Sequence, residues 1–176
     1  MSFRSFVPDL VPPKVRCKQA FLVAAVALAG CGGSSPPPRL VSGTGYSFSG
    51  PGDWTVKRSA MSVALSRGLD VISVTRFTLL RRYRPELWPK VVPEIDQRAD
   101  ALARDQRGTV SSRATITIAG ENARRYEIAY RRNGNQLVER LGFILRGKTE
   151  YELLCRFERG KSSSACDQLF ETFRPT

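Results

Sequence analysis

The sequence predicts an α+β domain, an antiparallel β-sheet with helices packed on it. Three observations carry this. Between residues 113 and 158, four runs alternate apolar and polar residues with period two, as half-buried strands do. Asn133-Gly134 separates two of these runs, and a type I′ hairpin turn needs positive φ at both of its central positions. Two segments, residues 88–103 and 163–173, instead repeat their apolar residues every three or four positions, the period of a helix face.

The elements follow in order. Residues 46–49 (YSFS) alternate as a short strand, and Gly50-Pro51-Gly52-Asp53 reads as a turn. Residues 54–58 and 62–66 predict two further short strands. Residues 70–80 (DVISVTRFTLL) predict a longer one, rich in β-branched side chains. A basic loop follows, Arg81-Arg82-Tyr83-Arg84-Pro85. In the helix after it, Trp88, Val91, Val92, Ile95, Ala99, Leu102 and Ala103 share a face. Pro89 and Pro93 suit only its beginning, and Gly108 is expected to close it with a left-handed cap. The strands at 113–118, 124–132, 136–146 and 150–158 are expected to form a meander, because short turns join only antiparallel neighbours. Their second faces are mostly polar, which predicts one core face and one partly wet face. In the closing helix, Cys166, Leu169, Phe170 and Phe173 point inward.

The chain has 28 Lys and Arg against 16 Asp and Glu, a formal charge of +12, and no histidine. Lacking histidine, it lacks the commonest general base and metal ligand. The arginines are scattered and form no recognition-helix stripe, so nucleic acid is not an expected partner. No cofactor is expected either. Gly43-Thr44-Gly45 lacks the strand–helix unit of a dinucleotide loop. Glu150, Glu152 and Glu158 share a strand face and read as solvated sheet residues.

The N-terminus carries an address. Arg4, Lys14, Arg16 and Lys18 precede an uncharged apolar run at 20–30 (AFLVAAVALAG). At about eleven residues it falls short of the roughly twenty that span a bilayer. It ends in Leu28-Ala29-Gly30-Cys31, which resembles the lipobox of bacterial lipoproteins. The resemblance implies that residues 1–30 are a cleaved signal peptide, that Cys31 becomes the acylated N-terminus, and that the protein works on the outer face of the cell membrane. Removing those four cations and Asp9 leaves +9 on the remainder. Residues 31–45, rich in Gly, Ser and Pro, read as a tether reaching up to ~40 Å, and residues 46–176 as one domain.

Cys17 lies in the leader and Cys31 takes the lipid, which leaves Cys155 and Cys166. In an oxidising compartment an even pair predicts a disulfide, here joining the last strand to the last helix. Buried free thiols are the alternative.

Beyond the lipobox, Tyr46 to Thr55 (YSFSGPGDWT) and Tyr151 to Arg174 (YELLC…CDQLFETFR) resemble the opening and closing motifs of the PsbP/Mog1-like family, in particular its LpqN-type actinobacterial lipoprotein branch. That resemblance covers residues 45–175. It implies an antiparallel sheet sandwiched between helices and a mostly non-catalytic role as an extrinsic subunit, binding module or assembly factor.

Two surface features are candidate binding elements. Arg81, Arg82, Tyr83, Arg84 and Trp88 combine guanidiniums with aromatic rings, a set suited to phosphate or carboxylate. Arg113, Arg124, Arg125, Arg131 and Arg132 could line a wet sheet face. The expected function is a membrane-anchored, extracytoplasmic, non-catalytic module. Its expected partners are membrane lipid, through acylated Cys31, and an envelope protein or anionic glycolipid. The alternatives are a carboxylate-dependent envelope hydrolase or transferase and a structural subunit of a membrane complex.

Overall fold

Period-two alternation puts more than half of the described residues into strands in the computed structural model, which describes residues 36–176. The strands are β1 (Arg39–Gly43), β2 (Tyr46–Gly50), β3 (Thr55–Arg58), β4 (Ser62–Arg67) and β5 (Asp70–Thr78). A single 3-10 turn (Pro85–Leu87) leads into α1 (Trp88–Asp105). Then come β6 (Thr109–Ile118), β7 (Glu121–Arg132), β8 (Asn135–Arg146), β9 (Thr149–Glu158), α2 (Ser164–Thr172) and β10 (Arg174–Pro175). Seven strands form one sheet in the order β3-β4-β5-β9-β8-β7-β6, and β1-β2-β10 form a second. Every pairing is antiparallel. The predicted α+β sandwich is the observed architecture. At the expected hairpin, Asn133 (φ 50°) and Gly134 (φ 83°) both take positive φ.

The large sheet is covered on both sides. On one, α1 lays Ile95, Ala99 and Ala103 over Tyr126, Ile128, Leu141 and Phe143. On the other, α2 and the small sheet bring Leu169, Phe173, Phe48 and Tyr46 onto Ile72, Val74, Leu153 and Ile144. The expectation of one wet face is therefore corrected over the sheet centre. Residues 141–145 of β8 are buried without a break, which only a strand covered on both faces can be. Gly142 permits α2 to approach closely, since a Cβ there would stand 2.8 Å from the Phe170 ring. A disulfide joins Cys155 of β9 to Cys166 of α2, with Cα atoms 5.4 Å apart.

Two further expectations are corrected. Residues 39–43, assigned to the tether, are strand β1, which pairs with β2 from Arg39↔Gly50 to Gly43↔Tyr46. Their backbone groups find partners in β2, and Val41 is buried. The rest of the expected tether before residue 36, the signal peptide and Cys31 lie outside the described residues.

The second correction concerns the end of α1. Arg107 (φ 53°), not Gly108, is left-handed there. Its N–H donates to the Arg104 carbonyl at 2.9 Å, and that of Gly108 donates to Ala103 at 2.8 Å, a Schellman closure with arginine in the glycine position. Gly108 is needed for space instead: a Cβ would lie 2.6 Å from the Ala129 carbonyl oxygen. Relieving the left-handed strain by Arg107→Gly should stabilise the domain by about 1 kcal/mol. Gly108→Ala should destabilise it. Denaturant melts of the two variants check both signs.

Candidate functional site

The end of β5 and the first half of α1 bound a groove of about 820 Å³. β5 stops at Thr78, so Leu79 and Leu80 fall in the loop. The Leu79 N–H still donates to the Lys148 carbonyl (2.9 Å) and that of Tyr83 to Gly147 (2.7 Å). These bonds hold the 79–83 segment against the β8–β9 turn, facing α1. Leu79 and Tyr83 pack on the core beneath α1. Leu80 is left 99% exposed and Leu87 37%. Val91, Ile95, Leu145 and Phe77 add to the apolar lining, and Arg81 and Arg82 stand at its edge.

Arg98 closes one wall. It donates to Glu150 (2.5 Å) and Glu152 (2.8 Å), and its guanidinium lies 5.5 Å from the Phe77 ring centroid and 5.0 Å from that of Phe143. Burial raises the Glu152 carboxyl above the ordinary range despite Arg98, and Glu150 and Glu139 add to the rise. Burial, with Glu121 and Glu86, likewise raises the Tyr83 hydroxyl. The groove therefore joins an apolar floor to two guanidiniums with no ion-pair partner among the described residues, those of Arg81 and Arg82.

The structure brings Arg81, Arg82 and Tyr83 to this groove. Arg84 is exposed, outside the lining, and half-buried Trp88 packs against the core under α1. The reading from sequence missed Leu80, Leu87 and Arg98. A signal for the first existed: Leu79 and Leu80 are adjacent, and in an alternating strand one of two neighbours must point away from the core.

The arginine series does not form one surface. Arg124 faces α1 and holds Asp96 through two bonds (2.9 and 3.1 Å). Arg113, across from Tyr126, reaches Asp100 at 2.9 Å. Arg125, the neighbour of Arg124, points to the opposite side of the sheet, and Arg131 and Arg132 are exposed beside the hairpin turn. The acidic set also separates, with Glu150 and Glu152 on Arg98 and Glu158 on Lys161. No helix among the described residues is long and apolar enough to cross a membrane.

No family model matches the chain, and no curated protein matches it. Solved structures do. A crystal structure from Bacteroides thetaiotaomicron VPI-5482 is similar with TM-score 0.54 and 12% identity, over 81% of this chain and 49% of that one. The chain thus spans about half the length of that protein, and the likeness shows a shared fold. LpqN of Mycobacterium tuberculosis, involved in cell envelope biogenesis, is similar with TM-score 0.45 and 12% identity, over 80% of this chain and 91% of LpqN. A Pseudomonas aeruginosa protein of unknown function is similar with TM-score 0.37 and 16% identity, over 69% of this chain and 83% of that one.

Proposed function

We propose that this chain is a lipid-anchored, extracytoplasmic binding module that captures an anionic, amphiphilic envelope partner in the groove beside α1, without catalysis. The observation that carries the reading is the exposed Leu80 at the mouth of an apolar groove edged by Arg81 and Arg82. An acyl chain entering between Leu80 and Leu87 gains the burial of both side chains. An anionic head group then meets the two guanidiniums, which suit phosphate or carboxylate. The lipobox-like string ending at Cys31 supports placement at a membrane surface, where anchoring raises the local concentration of such a partner.

Titration with a fluorescent lysophosphatidylglycerol tests this. Leu80→Asp should weaken binding at least ~10-fold, the scale of one lost buried leucine. Arg81→Ala with Arg82→Ala should weaken it and flatten its dependence on salt. Unchanged affinity in both variants overturns the groove. Turnover of envelope glycans or esters, abolished by changing a single Asp or Glu, would replace capture by catalysis.

A further inference from the structure

At the opposite end of α1 lies a feature that the groove does not use. Glu139 of β8 is a buried charged residue, 6% exposed. Its carboxylate accepts from the Tyr130 hydroxyl (2.7 Å) and from Gln106 Nε2 (2.7 Å). No Lys or Arg nitrogen pairs with it among the described residues. Arg156 stands directly across on β9; its Nε donates to the Leu69 carbonyl at 3.0 Å, and its guanidinium reaches the Tyr130 hydroxyl without pairing with Glu139. A buried carboxylate ordinarily has a cation partner. Beside it, Gln106 Oε1 is buried and has no donor, a second acceptor left at a cost. Burial and the Glu139 acceptor push the Tyr130 hydroxyl up to about 12, so it stays a donor to Glu139.

These groups line a cavity of about 390 Å³. Its floor is Gln106, Tyr130 and Glu139. Its rim carries Arg107 and, on the Tyr130 face of β7, Arg132, with Asp105 the single acid there. The floor therefore offers a carboxylate with no ion pair among the described residues and an amide oxygen with no donor, at a helix C-terminus whose dipole also favours positive charge. The rim offers guanidiniums. A simple cation would be repelled by the rim, and a simple anion would find no donor to spare on the floor. We propose that this cavity binds a small zwitterion, a free amino acid, with its ammonium on Glu139 and Gln106 Oε1 and its carboxylate on the rim arginines. An ammonium has N–H donors enough for both Glu139 and Gln106 Oε1, and the volume admits one amino acid or a dipeptide.

Calorimetric titration of the whole protein with three probes tests the assignment. L-alanine carries both charges, L-alaninamide only the ammonium, and N-acetyl-L-alanine only the carboxylate. Alanine should bind saturably, and each derivative at least tenfold more weakly. Glu139→Gln should cost alanine at least tenfold, and Arg107→Ala with Arg132→Ala should erase the preference for alanine over alaninamide. Gln106→Ala leaves the Glu139 carboxylate in place and should retain the preference for alanine over N-acetylalanine, so the test survives if Glu139→Gln fails to fold. Absence of saturable alanine binding, or N-acetylalanine binding as tightly as alanine, overturns the proposal. Groove variants at Leu80 or Arg81 should leave these affinities unchanged, which keeps the two sites distinguishable.

Discussion

Replacing both Cys155 and Cys166 by alanine is expected to cost about 3 kcal/mol of stability. The bridge spans a sequence separation of 11, and the chain-entropy argument gives that figure for so short a loop. The position makes the loss local before it is global. Both cysteines are buried at 1% exposure. The helix that carries Cys166 also supplies Leu169, and the residue capping it Phe173, to the core shared with β2, β5 and β9. Without the staple, α2 (nine residues) depends on those contacts alone, and an isolated helix of that length is marginal in water. A melting temperature lower by ~10 °C is the expected readout for a domain of this size. Amide exchange should show α2 losing protection while α1 keeps it. An unreduced and a reduced sample that melt together would contradict this.

The second large effect is expected at Asp96. This carboxylate stands on α1 and ties the helix to the sheet. Arg124 holds both of its oxygens, the Tyr126 hydroxyl donates to it, and Arg113 lies 3.9 Å away. Asp96→Ala leaves the Arg124 guanidinium half-enclosed over the Tyr126 ring with no charge partner, only the Thr115 hydroxyl at 3.2 Å. The expected cost is about 3 kcal/mol, the low end for a broken buried pair because the side chains keep some exposure. The pH dependence carries a sign. Burial pushes the Asp96 carboxyl up, but hydrogen bonds from Arg124 and Tyr126 outweigh it and hold the group below its ordinary value. The folded state then binds this proton less readily than the unfolded chain. The stabilisation is complete above the unfolded value near ~4 and fades as pH falls through the lower folded value. Asp96→Asn should lose stability at pH 7 and show a shallower fall below pH ~4. An unchanged acid limb in that variant would contradict the assignment.

The first effect arises where sequence pattern and structure agree, and the second where they do not, since helical spacing puts Asp96 away from the apolar face of α1. Cys155 falls on the apolar side of an alternating strand and Cys166 on the apolar side of a short helix, so their meeting was legible. So were the meander of β6 to β9 and the inward face of α1, because burial on one face writes itself into the sequence with period two or 3.6. Strand β1 was not legible. Arg39 to Gly43 holds one buried apolar residue, and its stability comes from backbone bonds to β2, which composition does not record. Nor was the second covered face. The run Leu141-Gly142-Phe143-Ile144-Leu145 announces it, but the flanking Arg140 and Arg146 make the strand look amphipathic. Arg140 is drawn into pairs with Glu127 and Asp167, and pairing across elements is spatial. For the same reason the basic loop was found while the lining of the groove beside the helix was not. Arg81, Arg82 and Tyr83 are contiguous, whereas Arg98 and Leu145 reach the groove only through the fold. Glu139 was legible but passed over: the period of two sets it between Leu137 and Leu141 on the apolar face of β8.

The account rests most heavily on the fate of Cys31, and one measurement tests that directly. The full-length chain and its Cys31→Ser variant are expressed in a bacterial host, fractionated, and weighed intact. The wild-type protein should sit in the membrane fraction, begin at residue 31 and carry the added mass of a diacylglyceryl group. The variant should keep residues 1–30 and lack that mass. A variant that is processed and retained at the membrane like the wild type would contradict the lipid anchor and, with it, the placement of the groove at a bilayer face.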